Sequence, residues 1–412
     1  MGRVAPRRVR AMKAAALVAA CAALVLAPGA RAGTQRSRGA SGASSLELAY
    51  AFLDRMMDRY ASGPQLRLVQ SFSGGTLERR HFTDSVTYDD ALIIDALLAR
   101  GSAEDLERAK LLGEALLYVQ ANDPAHDGRV RAAYAPALLT SPAAVQATDA
   151  TSDVGNMAWV GQALVQLYAR TGIGAYLSGA RAIGEWIYAN AYDTRGSGGY
   201  TGGQEAGGSR ITWKSTEHNV DVFSFFTLLA AQSKEAVWSS RAQWARGFVV
   251  SMYSAGEGMF YVGTGEDGVS VNASVFVEDV NSWSYLALRD PEYAPSLNWE
   301  ETHLSASRRG FSGVSFCTGD RRGVWFEGTA HLADALVLRG GPGDAAQAAA
   351  YLADIAHAQA RGPHTDGMGI IAASKNGLST CEGERYFASL HTGATAWYLL
   401  ALQAADPFLA LP

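Results

Sequence analysis

The sequence has 412 residues, with 35 Lys and Arg against 40 Asp and Glu, and a formal net charge of −5. This composition argues against a nucleic-acid partner, because proteins that bind phosphate backbones present basic surfaces. Beyond the first 32 residues no segment has the roughly 20 apolar residues that cross a bilayer, so no stable membrane anchor is expected.

The first residues predict an export signal. Arg3, Arg7, Arg8, Arg10 and Lys13 precede an uninterrupted apolar run at 14–26, and a small-x-small cleavage site follows at 30–32. Cleavage after Ala32 would remove six Lys and Arg and no acid, which leaves 29 basic against 40 acidic residues and a charge of about −11. The mature protein is therefore expected to be secreted or periplasmic.

The next residues mark the start of the folded domain. Residues 33–45 are rich in Gly, Ser, Ala and Arg without an apolar period, which predicts a flexible leader. From Leu46 onward, apolar residues recur at helical spacing. Residues 46–412 are expected to form one domain, because closed helical toroids of this length are often single domains.

A repeated pattern organises this domain. Six times, a cluster of polar and aromatic residues leads directly into a helix of small and apolar residues. The clusters lie at 87–92, 153–159, 216–221, 279–285, 325–330 and 391–397. Helices with one charged face are predicted between them, at 103–119, 176–192, 234–253 and 344–360.

The two kinds of helix predict the architecture. Helices that are apolar nearly all round must be buried, whereas helices with one charged face form an outer wall. If each hairpin is antiparallel, all inner helices run in the same direction and their leading clusters meet at one rim. We therefore predict an all-α (α/α)6 toroid of six helical hairpins with a funnel at that rim.

Long glycine-rich loops are expected at the same rim. The two main examples lie at 194–208 and 255–268. Loops of more than a dozen residues without regular structure are often functional, although plain solvated linkers have the same composition. A few short β-ribbons are expected among these loops, for instance at 258–262 and 269–277.

The clusters and their helices resemble the six-hairpin glycosidase superfamily. The segments that carry this resemblance are TYDDALIIDALLARG from Thr87, DVGNMAWVGQALVQLY from Asp153, STEHNVDVFSFF from Ser215, VWFEGTAHLADAL from Val324 and ATAWYLLALQAADPF from Ala394. The resemblance implies a carbohydrate-active protein, commonly a hydrolase with two carboxylic acids in the funnel. The superfamily also includes lyases and sugar epimerases, so the reaction stays open.

Carboxyl groups at the starts of the inner helices are the candidate catalytic residues. Breaking a glycosidic bond needs a protonated carboxyl at the leaving oxygen and an ionised carboxylate that activates water or attacks the sugar. The candidates are Glu217, Glu327 and Asp153, with Glu217 and Glu327 as the favoured pair. Asp89 and Asp90 are adjacent, so at most one of them is expected to line the funnel.

Each candidate acid also has a structural interpretation. Glu217 follows Thr216, a candidate N-cap whose polar neighbours would satisfy the first helical turn. Glu327 precedes Gly328, where a ligand can approach closely, but a buried Glu that ties two hairpins together would look the same. Asp153 is itself a candidate N-cap.

Aromatic and polar residues at the same helix starts are the predicted sugar-binding residues. They are Tyr88, Asp89, Trp159, Trp213, His218, Asn219, Trp283 and Trp325. A single aromatic residue more often packs the core than binds a ligand, and a ring of Trp would also pack the centre of the inner barrel. The sequence leaves both interpretations open.

Other chemistries have little support. The histidines show no ligand spacing, so no metal and no other cofactor is predicted. Cys317 and Cys381 remain after signal cleavage, either as one disulfide or as two separate thiols. A glycan is the expected partner, and a monomer is favoured.

Two alternative functions share the toroid. A polysaccharide lyase would use a Tyr or His base together with Arg, Lys, Asn or a metal that neutralises the substrate's charge. His218 with Asn219 and Tyr88 could serve. A binding protein would hold a glycan in the funnel without cleaving it. Product analysis on a panel of glycans separates all three functions.

Overall fold

The computed structural model describes residues 43–411. The predicted signal at 1–32 and residues 33–42 of the predicted leader lie outside the described residues. The first helix begins at Ser45, where Ser44 and Glu47 form a capping box.

Thirteen α-helices occur within the described residues. They are α1 (Ser45–Met57), α2 (Gly75–Arg79), α3 (Thr87–Arg100), α4 (Ala103–Ala121), α5 (Val154–Thr171), α6 (Gly174–Ala191), α7 (Thr216–Ser233), α8 (Ala236–Ser251), α9 (Asp279–Leu288), α10 (Pro295–His303), α11 (Phe326–Arg339), α12 (Asp344–Arg361) and α13 (Thr392–Leu402). Two short 3-10 helices lie at Pro142–Ala144 and Pro291–Tyr293.

Six of these helices form a closed inner ring. In the order α3, α5, α7, α9, α11 and α13, each helix packs against the next, and α13 packs back against α3. Burial separates the ring from the wall: α9 buries nine of its ten residues, whereas the outer helix α8 buries five of 16. The predicted (α/α)6 toroid is therefore confirmed.

The connectivity differs from the prediction at one position. Five inner helices pair with the outer helix that follows them in sequence, but α13 pairs with α1, from the other end of the chain. The hydroxyls of Ser45 and Tyr398 are hydrogen-bonded there, and Gln403 donates to the Tyr50 hydroxyl at 2.9 Å. Because α13 buries ten of its eleven residues, it needs an outer helix to cover it, and α1 provides that cover.

Short antiparallel strands surround the starts of the inner helices. They are β1 (Phe72–Ser73), β2 (Ser85–Val86), β3 (Ala133–Tyr134), β4 (Ala147–Asp149), β5 (Ser152–Asp153), β6 (Gly203–Gln204), β7 (Arg210–Ile211), β8 (Tyr253–Ser254), β9 (Met259–Phe260), β10 (Ser305–Arg308), β11 (Phe311–Val314), β12 (Ile370–Ile371), β13 (Leu378–Ser379), β14 (Arg385–Tyr386) and β15 (Leu390–His391). Of the two predicted ribbons, 258–262 contains β9, whereas 269–277 contributes only single bridges at Val271 and Val277.

The strands form six small sheets. The orders are β1-β15-β12, β2-β3-β4, β5-β6-β7, β8-β9, β10-β11 and β13-β14. Strands β2, β5 and β15 lead directly into α3, α5 and α13. These sheets therefore anchor the residues at which the inner helices begin.

A disulfide joins Cys317 to Cys381. The bond ties the segment after β11 to the turn between β13 and β14, so the two-thiol alternative does not hold. Over the described range, no helix combines the length and apolarity that crossing a membrane requires.

Candidate functional site

The starts of five inner helices meet at one pocket. The cavity volume of this pocket is about 30 Å³. Tyr88 on α3, Trp283 on α9 and the leading residues of α5, α7 and α11 contribute to its wall. Parallel inner helices were predicted to bring their first residues together at a common rim, and five of the six helices do so at this pocket.

Eight predicted site residues line the pocket together. They are Tyr88, Asp153, Trp159, Glu217, His218, Trp283, Trp325 and Glu327. Three carboxyl groups that lie far apart in sequence are thus combined with four large aromatic side chains. Their catalytic and sugar-binding roles remain predictions.

Glu217 lies in the first turn of α7 and is the only partly exposed carboxyl among those that line the pocket. The N-cap of α7 is Ser215, which accepts from the amide of His218 at 3.3 Å, and not the candidate Thr216. Desolvation, followed by the nearby charges of Asp279 and Asp221, raises the pKa of Glu217 well above its usual value. Burial and these like charges therefore favour the neutral form of Glu217.

Asp153 occupies a different electrostatic environment. It is the N-cap of α5 and accepts from the amide of Asn156 at 3.1 Å, as its structural interpretation predicted. Its Oδ1 also lies 3.6 Å from Nε2 of His218. Burial raises the pKa of Asp153, but His218 and the amides at the start of α5 oppose that rise. Asp153 is thus the pocket carboxyl with the most stabilising partners for a negative charge.

Glu327 is held from two sides. Tyr88 donates to its Oε1 at 2.7 Å, and His331, one turn further along α11, lies 3.5 Å from the same oxygen. The other nitrogen of His331 lies 3.0 Å from Glu278. Burial raises the pKa of Glu327 well above its usual value, although the bond from Tyr88 opposes this. Glu327 thus joins inner helices, as its structural interpretation predicted, and it also lines the pocket, whereas its catalytic role stays a prediction.

Three predicted sugar-binding residues do not line the pocket. Asp89 is buried and its Oδ2 lies 2.9 Å from Nε2 of His391, an interaction that joins α3 to the start of α13. The amide of Asn219 bonds to the backbone of Tyr200 and Ser215 at 2.8–2.9 Å. Trp213 is buried behind His218, with their ring centroids 5.6 Å apart. Asp89 and Asn219 thus form hydrogen bonds to other parts of the fold.

Six lining residues were not among the predicted site residues. They are Gly155, Asn156, Asp221, Asp279, Phe316 and Tyr386. Asp221 lies four residues after Glu217 on the same helix face, a spacing that pointed to the pocket. Asp279 begins α9 within a recognised cluster, but Phe316 lies in a segment that only the disulfide and the fold bring to the pocket.

An aromatic layer forms the base of the pocket. Trp159 and Trp283 lie with ring centroids 5.4 Å apart, and each is 6.0 Å from Trp397. Phe408 packs against the same three indoles. The Trp residues of the inner ring therefore pack the centre of the barrel, and two of them also present surface to the pocket.

The chemical character of the pocket is acidic and aromatic. Five carboxyl groups line it, from Asp153, Glu217, Asp221, Asp279 and Glu327, and no Lys or Arg is among the lining residues. Within residues 43–411, no group of three or more His, Cys, Asp or Glu has a geometry that could hold a metal ion. The arrangement suits proton transfer between carboxyl groups at an aromatic surface.

Comparison with known proteins gives matches at the level of structure. The sequence matches no family model and no curated relative. A sugar epimerase from a ruminal bacterium has a TM-score of 0.62 at 12% identity, over 86% of this chain and 95% of the epimerase. The cellobiose 2-epimerase of Bacillus thermoamylovorans has a TM-score of 0.63 at 10% identity, over 86% and 94%.

A third similar structure is a hydrolase. It is an inactive variant of the alpha-1,6-mannanase of a Salegentibacter species in complex with alpha-1,6-mannotriose, with a TM-score of 0.57 at 13% identity, over 88% of this chain and 98% of the mannanase. These similarities show that the chain has an (α/α)6 fold. The fold that the sequence resemblance implied is confirmed. Solved structures with this fold include a hydrolase and sugar epimerases.

Proposed function

We propose that the protein is a glycoside hydrolase that cleaves an oligo- or polysaccharide in this pocket. The supporting observation is the contrast between Glu217 and Asp153 on neighbouring inner helices. Burial raises the pKa of both carboxyls, and like charges raise that of Glu217 further, whereas His218 and the amides at the start of α5 oppose the rise at Asp153. Acid and base catalysis at one bond requires two carboxyl groups whose environments give them different pKa values.

In the proposed reaction, Glu217 acts as the general acid. Its carboxyl gives a proton to the glycosidic oxygen while the bond between that oxygen and the anomeric carbon breaks. A water molecule forms the new bond to the anomeric carbon, and its proton passes to Asp153. The products are a free hydroxyl and a new reducing end, and solvent restores the starting protonation of both carboxyls.

The sequence favoured Glu327 as the second carboxyl, and it remains the alternative to Asp153. Tyr88 donates to Glu327 and His331 lies beside it, but no backbone amide within the described residues donates to its carboxyl. Its environment therefore favours an ionised carboxylate less than that of Asp153 does. In this assignment Glu327 binds a sugar hydroxyl.

Variants at the three acids test the proposal after a glycan panel has identified a substrate. Replacing Glu217 with Gln should reduce cleavage of that glycan about 10²–10⁴-fold, the usual contribution of a general acid. The same variant should retain activity on a dinitrophenyl glycoside, whose leaving group needs no proton. Asp153→Asn should lose activity on both substrates, and added azide should restore it. The exposed Glu205→Gln variant is the control.

The results of these experiments also decide which carboxyl has which role and which reaction the protein catalyses. If Glu217→Gln cleaves the glycan at the wild-type rate, Glu217 is not the acid. If azide restores Glu327→Gln and not Asp153→Asn, the second carboxyl is Glu327. If the wild-type protein binds glycans but releases no new reducing end, it is a binding protein. If it changes the configuration of a sugar without cleavage, it is an epimerase.

The lyase alternative has less support. Elimination on a uronate polymer needs positive groups to neutralise the substrate carboxylates, and no Lys or Arg lines the pocket. Burial and the neighbouring Glu327 raise the pKa of Tyr88 well above its usual value, which makes it a poor base. A product that absorbs in the near ultraviolet would contradict this reasoning.

We also propose that the protein is exported after cleavage near Ala32. The disulfide between Cys317 and Cys381 supports an oxidising compartment. Amino-terminal sequencing of the protein recovered outside the cytoplasm should begin at residue 33. A mature protein that begins at Met1 would contradict the proposal.

A further inference from the structure

Two carboxyl groups of the pocket have no part in the proposed hydrolysis. Asp221 lies in α7, one turn after Glu217, and Asp279 is the first residue of α9. Both line the pocket, and they are 2% and 3% exposed. Each raises the pKa of Glu217, and Asp279 also raises the pKa of Asp221, so these charges repel one another.

The fold gives these two carboxyls few partners. Neither oxygen of Asp221 makes a hydrogen bond within the described residues, although the indole of Trp159 opposes the rise of its pKa. Asp279 accepts a 2.7 Å hydrogen bond from the amide of Val280. Buried carboxylates without cationic or hydrogen-bonding partners are costly. Because Asp221 also lines the pocket, a donor from a bound ligand can reach its oxygens.

No basic side chain of the protein meets this need. Among the lining residues only His218 can carry a positive charge, and it lies beside Asp153. Lys214 is fully buried nearby in sequence, but its ammonium donates to the carbonyls of Arg195 and Gly198 and lies 3.3 Å from Asp193. A positive charge beside Asp221 and Asp279 would therefore have to come from a ligand.

We propose that the pocket selects a basic amino sugar, and that Asp221 and Asp279 bind its ammonium group. This inference names the substrate class of the hydrolase proposed above. It rests on that proposal for cleavage of the amino sugar, but not for binding of the amino sugar. An ammonium donates up to three charge-assisted hydrogen bonds, which are about twice as strong as neutral ones. It also allows two neighbouring carboxylates to ionise together.

Other sugars fit the same carboxyls less well. A neutral hexose offers hydroxyl donors but no positive charge to balance two carboxylates. An N-acetylated sugar lacks the charge and adds an acyl group, and a uronate adds a further negative charge. A de-N-acetylated hexosamine unit therefore matches the pocket best.

Binding of small glycosides tests the inference without knowledge of the linkage. The ligands are the α- and β-methyl glycosides of glucosamine and galactosamine, each compared with its N-acetylated and neutral counterpart by calorimetry at pH 6. At least one amino glycoside should bind about tenfold more tightly than both counterparts. The Asp221→Asn and Asp279→Asn variants should each reduce this ratio to about threefold or less.

The controls separate this inference from the proposed function. Glu205→Gln removes an exposed carboxyl and should keep the full ratio, and melting temperatures confirm that each variant folds. The inference is overturned if amino glycosides do not bind, if neutral or N-acetylated ligands bind as tightly, or if the ratio survives in the double variant. If the protein cleaves a neutral glycan and rejects its amino form, the amino-sugar inference is wrong and the proposed hydrolase stands. If the protein prefers amino sugars but cleaves no glycan, the proposed hydrolase is wrong and the amino-sugar inference stands.

Discussion

The phenol of Tyr88 donates a 2.7 Å hydrogen bond to Oε1 of Glu327, although 239 residues separate the two in sequence. Tyr88 also accepts a 2.8 Å hydrogen bond from the indole of Trp397. One hydroxyl thus joins the inner helices α3, α11 and α13 beside the pocket. It also fixes the position of a carboxyl whose Oε2 makes no hydrogen bond within the described residues.

Removing the Tyr88 hydroxyl should affect both stability and the titration of Glu327. Tyr88→Phe leaves the buried indole of Trp397 without its acceptor, which should lower the free energy of unfolding by about 1–3 kcal/mol. Because the hydrogen bond from Tyr88 lowers the pKa of Glu327, its loss should raise that pKa further. Urea denaturation measures the first effect, and the pH profile of glycan cleavage measures the second.

Tyr134→Phe is the matched control, since Tyr134 is buried and accepts from the amide of Arg131 away from the pocket. It should lose stability without a change in the pH profile. Equal pH profiles for the wild type and Tyr88→Phe would show that the bond does not influence the reaction.

The absence of a side chain at Gly155 should be necessary for the contact between His218 and Asp153. A Cβ at residue 155 would lie 2.7 Å from Cδ2 of His218 and 3.2 Å from Oδ1 of Asp153. In Gly155→Ala, His218 must move away from Asp153, so the cleavage rate should fall about tenfold or more. Gly247→Ala on α8 is the control, because a Cβ at residue 247 would meet no neighbouring atom within 4 Å. That variant should gain up to about 1 kcal/mol of stability and keep full activity.

The disulfide should contribute strongly to stability. Its cysteines are 64 residues apart in sequence, and a cross-link over such a loop stabilises a protein by about 4 kcal/mol in the chain-entropy model. Replacing both Cys317 and Cys381 with Ser should lower the midpoint of urea unfolding. A reductant should lower the wild-type midpoint in the same way and leave the variant unchanged. A wild-type midpoint that does not respond to full reduction would contradict this prediction.

The buried Asp279 should make the protein less stable as the pH rises. Burial raises its pKa from 3.8 to about 7 in the folded state, so the folded protein binds more protons than the unfolded chain between these values. Its ionisation therefore reduces the free energy of unfolding progressively from about pH 4 to pH 7. Asp279→Asn should match the wild type at pH 4 and be more stable at pH 8, as measured by urea denaturation. Parallel pH dependences of the two proteins would contradict the assignment.

The sequence predicted the inner helices because burial follows from composition. A helix such as α13, which is apolar on all sides, can lie only where other helices surround it. The outer helices α4, α6, α8 and α12 were predicted from their charged faces for the same reason, whereas α10 was not predicted. The sixth pair was not predicted as it occurs, because no local pattern indicates that α1 must cover a helix at the other end of the chain.

The candidate site was predicted in part. The clusters located Glu217, Glu327 and Asp153 at helix starts, and parallel helices brought these starts together. The sequence could not distinguish Asn219 and Asp89 from the residues that face the pocket. Their polar atoms bond to Tyr200 and His391, and such pairings depend on how each helix is rotated within the ring.

By itself, the sequence determined which segments are helical, which helices are buried and which polar residues precede them, because periodicity and composition act locally. The tertiary structure alone decided that Tyr88 bonds to Glu327, that Asp221 and Asp279 face the pocket, and that α1 closes the ring. These features depend on contacts between distant segments. Their energies are set by the rotation and spacing of whole helices, which no stretch of neighbouring residues encodes.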